Sequence, residues 1–112
     1  MTAPPANPPR TGIVTGLVAE ADCLRKPRRG VAPRVLVSGG VPARTGELAR
    51  SLVEEGAIGL VSFGVAGGLD PALGAGTILL PREIVTAGGA RFAIDMAWRE
   101  ALAAALGDTG TD

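Results

Sequence analysis

Leu60-Val61-Ser62-Phe63-Gly64-Val65-Ala66-Gly67-Gly68-Leu69-Asp70-Pro71 is the stretch on which the fold turns. It reads as a short buried strand that empties into a glycine cluster closed by Asp-Pro, and Gly76-Thr77-Ile78-Leu79-Leu80-Pro81 follows as a second apolar run. Glycines at 64, 67 and 68 suit positive φ and close approach of backbone to a ligand, and open α/β sheets bind ligands beyond the carboxyl ends of their strands. The expectation is a floor for a small molecule.

Working outward, Gly12 to Val18 is a β-branched apolar run of strand length, and Ala19 to Leu24 is a short helical segment carrying Glu20 and Asp22. Lys26 to Gly30 is a basic turn, and Arg34 to Ser38 is a strand that ends in Gly39-Gly40. Pro42 opens a helix through Glu55, with Leu48, Ala49, Leu52 and Val53 sharing a face and Gly56 as the stop. With Ile58 to Phe63 as the third strand the order is β, α, β, α, β, which implies parallel strands joined by right-handed crossovers. Beyond the glycine cluster, Thr77 to Leu80, Glu83 to Thr86 and Arg91 to Ile94 read as short strands around a Gly88-Gly89 turn. Asp95 then caps a helix over Met96 to Leu106, with Trp98, Ala101, Leu102 and Ala105 on one face and Gly107 behind it.

The chain has 112 residues, eleven basic and eleven acidic, so no net charge points to a nucleic acid or an anionic membrane. Its aromatics are Phe63, Phe92 and Trp98, too few for a base-stacking platform. The absence of His and Tyr removes the Ser-His-Asp triad and the commonest metal ligand, leaving carboxylates, backbone dipoles and Arg for any catalysis. Cys23 is alone, which rules out an intrachain disulfide and fits a small core thiol in a reducing compartment. Met1 to Arg10 holds four prolines and no apolar run, and is expected to be a disordered leader. Residues 11–107 form one domain on this reading, with a frayed tail over 108–112. No stretch is apolar enough to span a bilayer, and a soluble, cytoplasmic protein is expected.

If the strands are parallel, their ends at Gly16 to Glu20, Ser38 to Gly40 and Phe63 to Gly68 open on one edge. Glu20, Ser38, Gly39, Gly64, Ala66 and Gly67 then line one crevice. Gly40 and Arg44 flank a helix N-terminus that favours an anion. Glu20 suits two roles, a first-turn carboxylate favoured by the helix dipole or a ligand-facing base. The glycine spacing is not Gly-x-Gly-x-x-Gly, and no P-loop lysine follows, which argues against a dinucleotide or ATP site.

In order along the chain, Gly12-Ile-Val-Thr-Gly-Leu-Val-Ala-Glu20, Val37-Ser-Gly-Gly40, Val61-Ser-Phe-Gly-Val-Ala-Gly-Gly-Leu-Asp-Pro71 and Gly76-Thr-Ile-Leu-Leu-Pro81 resemble the N-terminal half of the purine nucleoside phosphorylase and nucleosidase superfamily. Within it the resemblance is strongest to the hopanoid-associated phosphorylases, and it covers about Gly12 to Leu106. It implies a three-layer α/β/α fold with a mostly parallel mixed sheet. The implied reaction is cleavage of a purine nucleoside N-glycosidic bond, with phosphate or water as acceptor; in the hopanoid branch, adenine leaves an adenosylated hopanoid. No cofactor is implied beyond phosphate as co-substrate, and a homo-oligomer is expected. The resemblance assigns Val65, Ala66 and Gly67 to the backbone floor under base and ribose, and Glu20 to the carboxylate that activates water. Val65 stands where nucleosidases often carry Ser. The ribose-binding glutamate and purine-protonating aspartate of the family's second half have no recognisable counterpart here, so a truncated member with little activity alone is expected. The alternative is a non-catalytic nucleoside- or phosphate-binding module of the same fold.

Overall fold

A computed structural model describes residues 10–25 and 30–107. The expected leader up to residue 9, the basic turn over 26–29 and the tail over 108–112 lie outside the described residues. Arg10, assigned to the leader on sequence, is already tied in: its carbonyl accepts from Ile58 N–H at 2.9 Å. The chain divides into two units, one closing at Ala66 and the other opening at Gly67.

The first unit contains β1 (Thr11–Thr15), α1 (Val18–Asp22), β2 (Arg34–Val37), α2 (Pro42–Glu54) and β3 (Gly59–Phe63). Its sheet has the order β2-β1-β3, and both pairings are parallel. The β, α, β, α, β order therefore gives the parallel arrangement expected of it. β1 is the central strand, and β3 is at an edge rather than buried: Leu60, Ser62 and Phe63 are exposed. An apolar composition marks a strand suited to burial on both faces, but which strand sits in the middle depends on the crossover directions.

Alternate residues of β1 face opposite sides of the sheet. Ile13 clusters with Val35 and with Ala21 of α1, and Leu24, Val37 and Val61 pack around them. Gly12 faces α2, where a Cβ would stand 3.1 Å from Leu52 Cδ1, 3.1 Å from Leu60 Cδ2 and 3.2 Å from Ala57 Cβ. The missing side chain is what lets the fully buried Leu52 sit down on the central strand. α2 begins at Pro42, whose absent N–H costs nothing in the first turn. It is followed by Gly56 at φ 93°, as its composition predicts. Val53, expected on the buried face, is 58% exposed; the covered positions are Leu52 with Leu48, Ala49 and Ser51 half-buried. Cys23 is exposed rather than in the core, because it sits on the outer side of the α1 C-cap with Sγ donating to the Ala19 carbonyl at 3.4 Å.

The second unit contains β4 (Glu83–Val85), β5 (Arg91–Ala93) and α3 (Met96–Leu106). β4 and β5 are antiparallel and form their own sheet, so the parallel sheet of the first unit is not a mixed one. Their turn closes through Thr86, whose N–H donates to the Ala90 carbonyl at 2.9 Å and whose hydroxyl accepts from Ala90 N–H at 3.1 Å. Arg91 pairs across the hairpin with Glu83. Thr77 to Leu80, expected as a strand, has no ladder partner and runs outside regular structure; its composition suits extension, but a strand also needs a neighbour. Asp95 caps α3 as its position predicts, accepting from Trp98 N–H at 2.9 Å, and Gly107 closes it at φ 66°. The half-buried positions of α3 are Trp98, Arg99, Ala103 and Leu106, a stripe turned from the expected Ala101, Leu102 and Ala105. Arg99 makes the difference by reaching the Leu80 carbonyl with Nε at 2.8 Å. No helix among the described residues is long and apolar enough to cross a membrane.

Candidate functional site

The register of the parallel sheet aligns Thr15 with Val37 on one side and with Phe63 on the other. One residue further along, Ser38, Gly16 and Gly64 emerge from the same edge. β1 connects to β2 through α1, whereas β2 connects to β3 by crossing over β1 through α2. The winding order thus reverses between β1 and β3 while the strands stay parallel, and a crevice at such a switch point is where open α/β sheets hold ligands.

Glu20 occupies this place. Its Oε1 accepts from Gly16 N–H at 3.1 Å and from Leu17 N–H at 2.9 Å, while Oε2 accepts from Val65 N–H at 2.8 Å. Glu20 is the third residue of α1 and Leu17 the N-cap, so the carboxylate supplies half of a capping box by reaching back to the cap N–H. The other half needs a polar N-cap side chain, which Leu17 lacks. Bonds donated to the charged form favour it: the Val65 N–H is the largest influence holding the Glu20 carboxyl below its ordinary 4.5, burial opposes it, and the Leu17 and Gly16 N–H groups add to the lowering. The side chain is partly exposed.

Gly64 is the reason the carboxylate fits. A Cβ there would lie 2.6 Å from Glu20 Oε2, 3.1 Å from Cδ and 3.2 Å from Oε1. The glycines of the cluster do not act through backbone sign: Gly64, Gly67 and Gly68 all lack the positive φ expected of them. Gly64 serves by the absence of a side chain, and a Cβ on Gly67 or Gly68 would meet open space. The left-handed glycines at this edge are Gly39 and Gly40, at φ 70° and 78°.

Ser38 is buried, with its N–H donating to the Thr15 carbonyl at 2.8 Å and its hydroxyl to the same oxygen at 3.2 Å. Its Oγ also accepts from Gly40 N–H at 3.3 Å. That hydroxyl therefore braces the Gly39-Gly40 turn against β1, and Gly40 N–H is committed to the turn. Arg44 is exposed in the first turn of α2 and enters no ion pair among the described residues. Val65 and Ala66 are exposed beside Glu20, Val65 at 84%. Gly67 belongs to the second unit.

Thr15 was not singled out from the sequence. It is 2% exposed, its carbonyl receives both Ser38 bonds, and its hydroxyl donates to the Leu17 carbonyl at 3.3 Å. A hydroxyl residue ending an apolar strand just before glycine was the signal available. Asp70, set aside on sequence as a turn residue, is one: its Oδ1 accepts from Ala72 N–H at 2.9 Å.

The resulting edge offers one carboxylate, exposed backbone beside it and a braced glycine turn. Ionised carboxylates have roughly four acceptor positions. Oε1 uses two here and Oε2 one, which leaves Oε2 able to accept from a hydroxyl or water. Comparison with protein-family models, curated proteins and solved structures finds no match to this chain.

Proposed function

We propose that this chain supplies the base-and-ribose floor of a purine nucleoside phosphorylase or nucleosidase, built on a three-layer α/β/α frame of that type. The observation that carries the reading is the contact between Glu20 and Gly64-Val65 at the β1/β3 switch point, which joins the two most distinctive motifs of the sequence in one place. In this reading a ribose hydroxyl or the acceptor water donates to the free position on Glu20 Oε2, and the backbone of Val65 and Ala66 lies under the sugar and base. Phosphorolysis gives free purine and a ribose 1-phosphate; hydrolysis gives free purine and ribose. The Gly39-Gly40 turn and Arg44 are the elements nearest in kind to a phosphate site. Adenosine substituted on its ribose by an apolar group, as in an adenosylated hopanoid, is the proposed substrate class.

Departure of a purine is helped by protonation, and general acid catalysis contributes about 10²- to 10⁴-fold. Asp95 is used as a helix cap and Asp70 closes its own turn, so neither is free for this role. Binding with slow turnover is the expected behaviour of the chain alone. A second reading, a nucleoside- or phosphate-binding module without chemistry, is favoured by the three N–H groups that hold Glu20 in its weakly basic form.

Incubation of the chain with adenosine and with 5′-methylthioadenosine, with and without phosphate, separates these readings when free adenine is measured chromatographically and binding by calorimetry. Adenine release supports the enzyme, and binding without release supports the module. Absence of both heat and adenine overturns both.

A further inference from the structure

We propose that Glu20 is a positioning residue whose carboxylate latches the backbone at Val65 to the turn leaving β1, and so sets the conformation of the chain that follows β3. The bond spans 45 positions of sequence and joins two loops that otherwise share no hydrogen bond. Among the described residues it is also the one hydrogen bond made by Gly64, Val65 and Ala66. These residues are exposed and lie outside regular structure, so neither packing nor a ladder holds them. A built latch is further indicated by Gly64, since any side chain there would displace the carboxylate.

The latch depends on charge. An ionised carboxylate only accepts, and bonds from N–H groups to a charged acceptor are stronger than neutral ones. A protonated Glu20 offers one oxygen as a donor and weakens the other as an acceptor. Among the described residues, no charged side chain pairs with it. Asp22 on the same helix faces Arg25 at 3.9 Å, β1 and β3 carry no titratable residue, and Arg34 at the start of β2 pairs with Glu55 at 3.3 Å. Because the folded carboxyl lies below 4.5, the folded protein binds fewer protons than the unfolded chain in the acid range. The latch is thus complete above the ordinary value and is lost as pH falls through the lower, folded one. A carboxylate held this way is a poor proton acceptor at neutral pH, so besides accepting a hydrogen bond from a hydroxyl or water it serves the site by placing Val65 and its neighbours.

The purpose of the latch rests on the floor reading given above; its existence does not, and its test uses the ligand-free chain. In wild-type protein the Val65 amide proton shift should follow pH with one midpoint below 4.5, shared with the Glu20 carboxyl carbon and with the Leu17 amide. Glu20→Gln keeps the shape and one acceptor oxygen but removes the charge. It should flatten the Val65 titration and speed Val65 amide exchange roughly tenfold, the scale of a lost charge-assisted bond. Asp22→Asn should leave both unchanged. A Val65 amide that does not respond to acid in the wild type overturns the latch, as does unchanged exchange in a folded Glu20→Gln; if that variant does not fold, the wild-type titration decides. Failure of nucleosides to bind, with the titration as described, overturns the functional reading and leaves the latch standing.

Discussion

Gly64→Ala should preserve the fold of the first unit and release the end of β3. The added methyl would lie 2.6 Å from Glu20 Oε2, and contact becomes ordinary at 3.4 Å, so the oxygen must retreat by about 0.8 Å, the difference of the two. Rotating the carboxylate does not relieve the clash, because Cδ and Oε1 are themselves only 3.1 and 3.2 Å from the new atom. The group has to withdraw as a whole. Starting from 2.8 Å, the Val65 bond then passes the roughly 3.2 Å within which N–H···O bonds ordinarily form. The displaced atoms are the far end of a flexible side chain, and residue 64 does not need positive φ, so the backbone takes alanine without strain. Amide exchange followed by NMR should show Val65 faster by roughly tenfold, with the slow amides of Ile13 and Val35 and the urea midpoint close to wild type. Unchanged Val65 exchange in a folded Gly64→Ala would refute the geometric argument. Loss of the whole fold would show that the latch also holds the sheet.

Gly12→Ala is the contrasting substitution, since its methyl meets the packed Leu52, Leu60 and Ala57; overpacking of this kind costs about 1–3 kcal/mol, read as a lower urea midpoint. Combining it with Leu52→Ala, which alone should cost about 2–5 kcal/mol, should give less than the sum, because the truncated Leu52 makes room for the new methyl. Asp95→Ala removes the α3 cap on Trp98 N–H and should lower stability by about 1 kcal/mol, measured by denaturation, while leaving the Val65 titration untouched.

The sequence exposed the first unit well because its elements are set by local signals. Pro42 and Gly56 bracket α2, glycines follow β2 and β3, and the alternation of strands and helices implies parallel pairing. The Asp95 cap and the Thr86 to Ala90 turn were readable for the same reason. What was not readable depends on neighbours distant along the chain. β3 looked buried and lies at an edge, Thr77 to Leu80 looked like a strand and has no partner, and α3 is turned by the reach of Arg99 to Leu80. At the candidate site, the convergence of Glu20 with the glycine cluster followed from parallel topology. The role of Gly64 did not: sequence suggested conformational freedom, and the structure uses the missing side chain. Ser38 shows the same limit, since a buried bond to the Thr15 carbonyl cannot be told from a ligand contact by residue type.

The most direct test of the proposed nucleoside floor is titration of the ligand-free chain with 5′-methylthioadenosine and, separately, with inorganic phosphate, following backbone amides by NMR. Saturable shifts from the nucleoside at Gly16, Leu17, Val65 and Ala66, abolished in Gly64→Ala, are the predicted result. Shifts absent from these four amides, or spread over the chain without saturation, would contradict it.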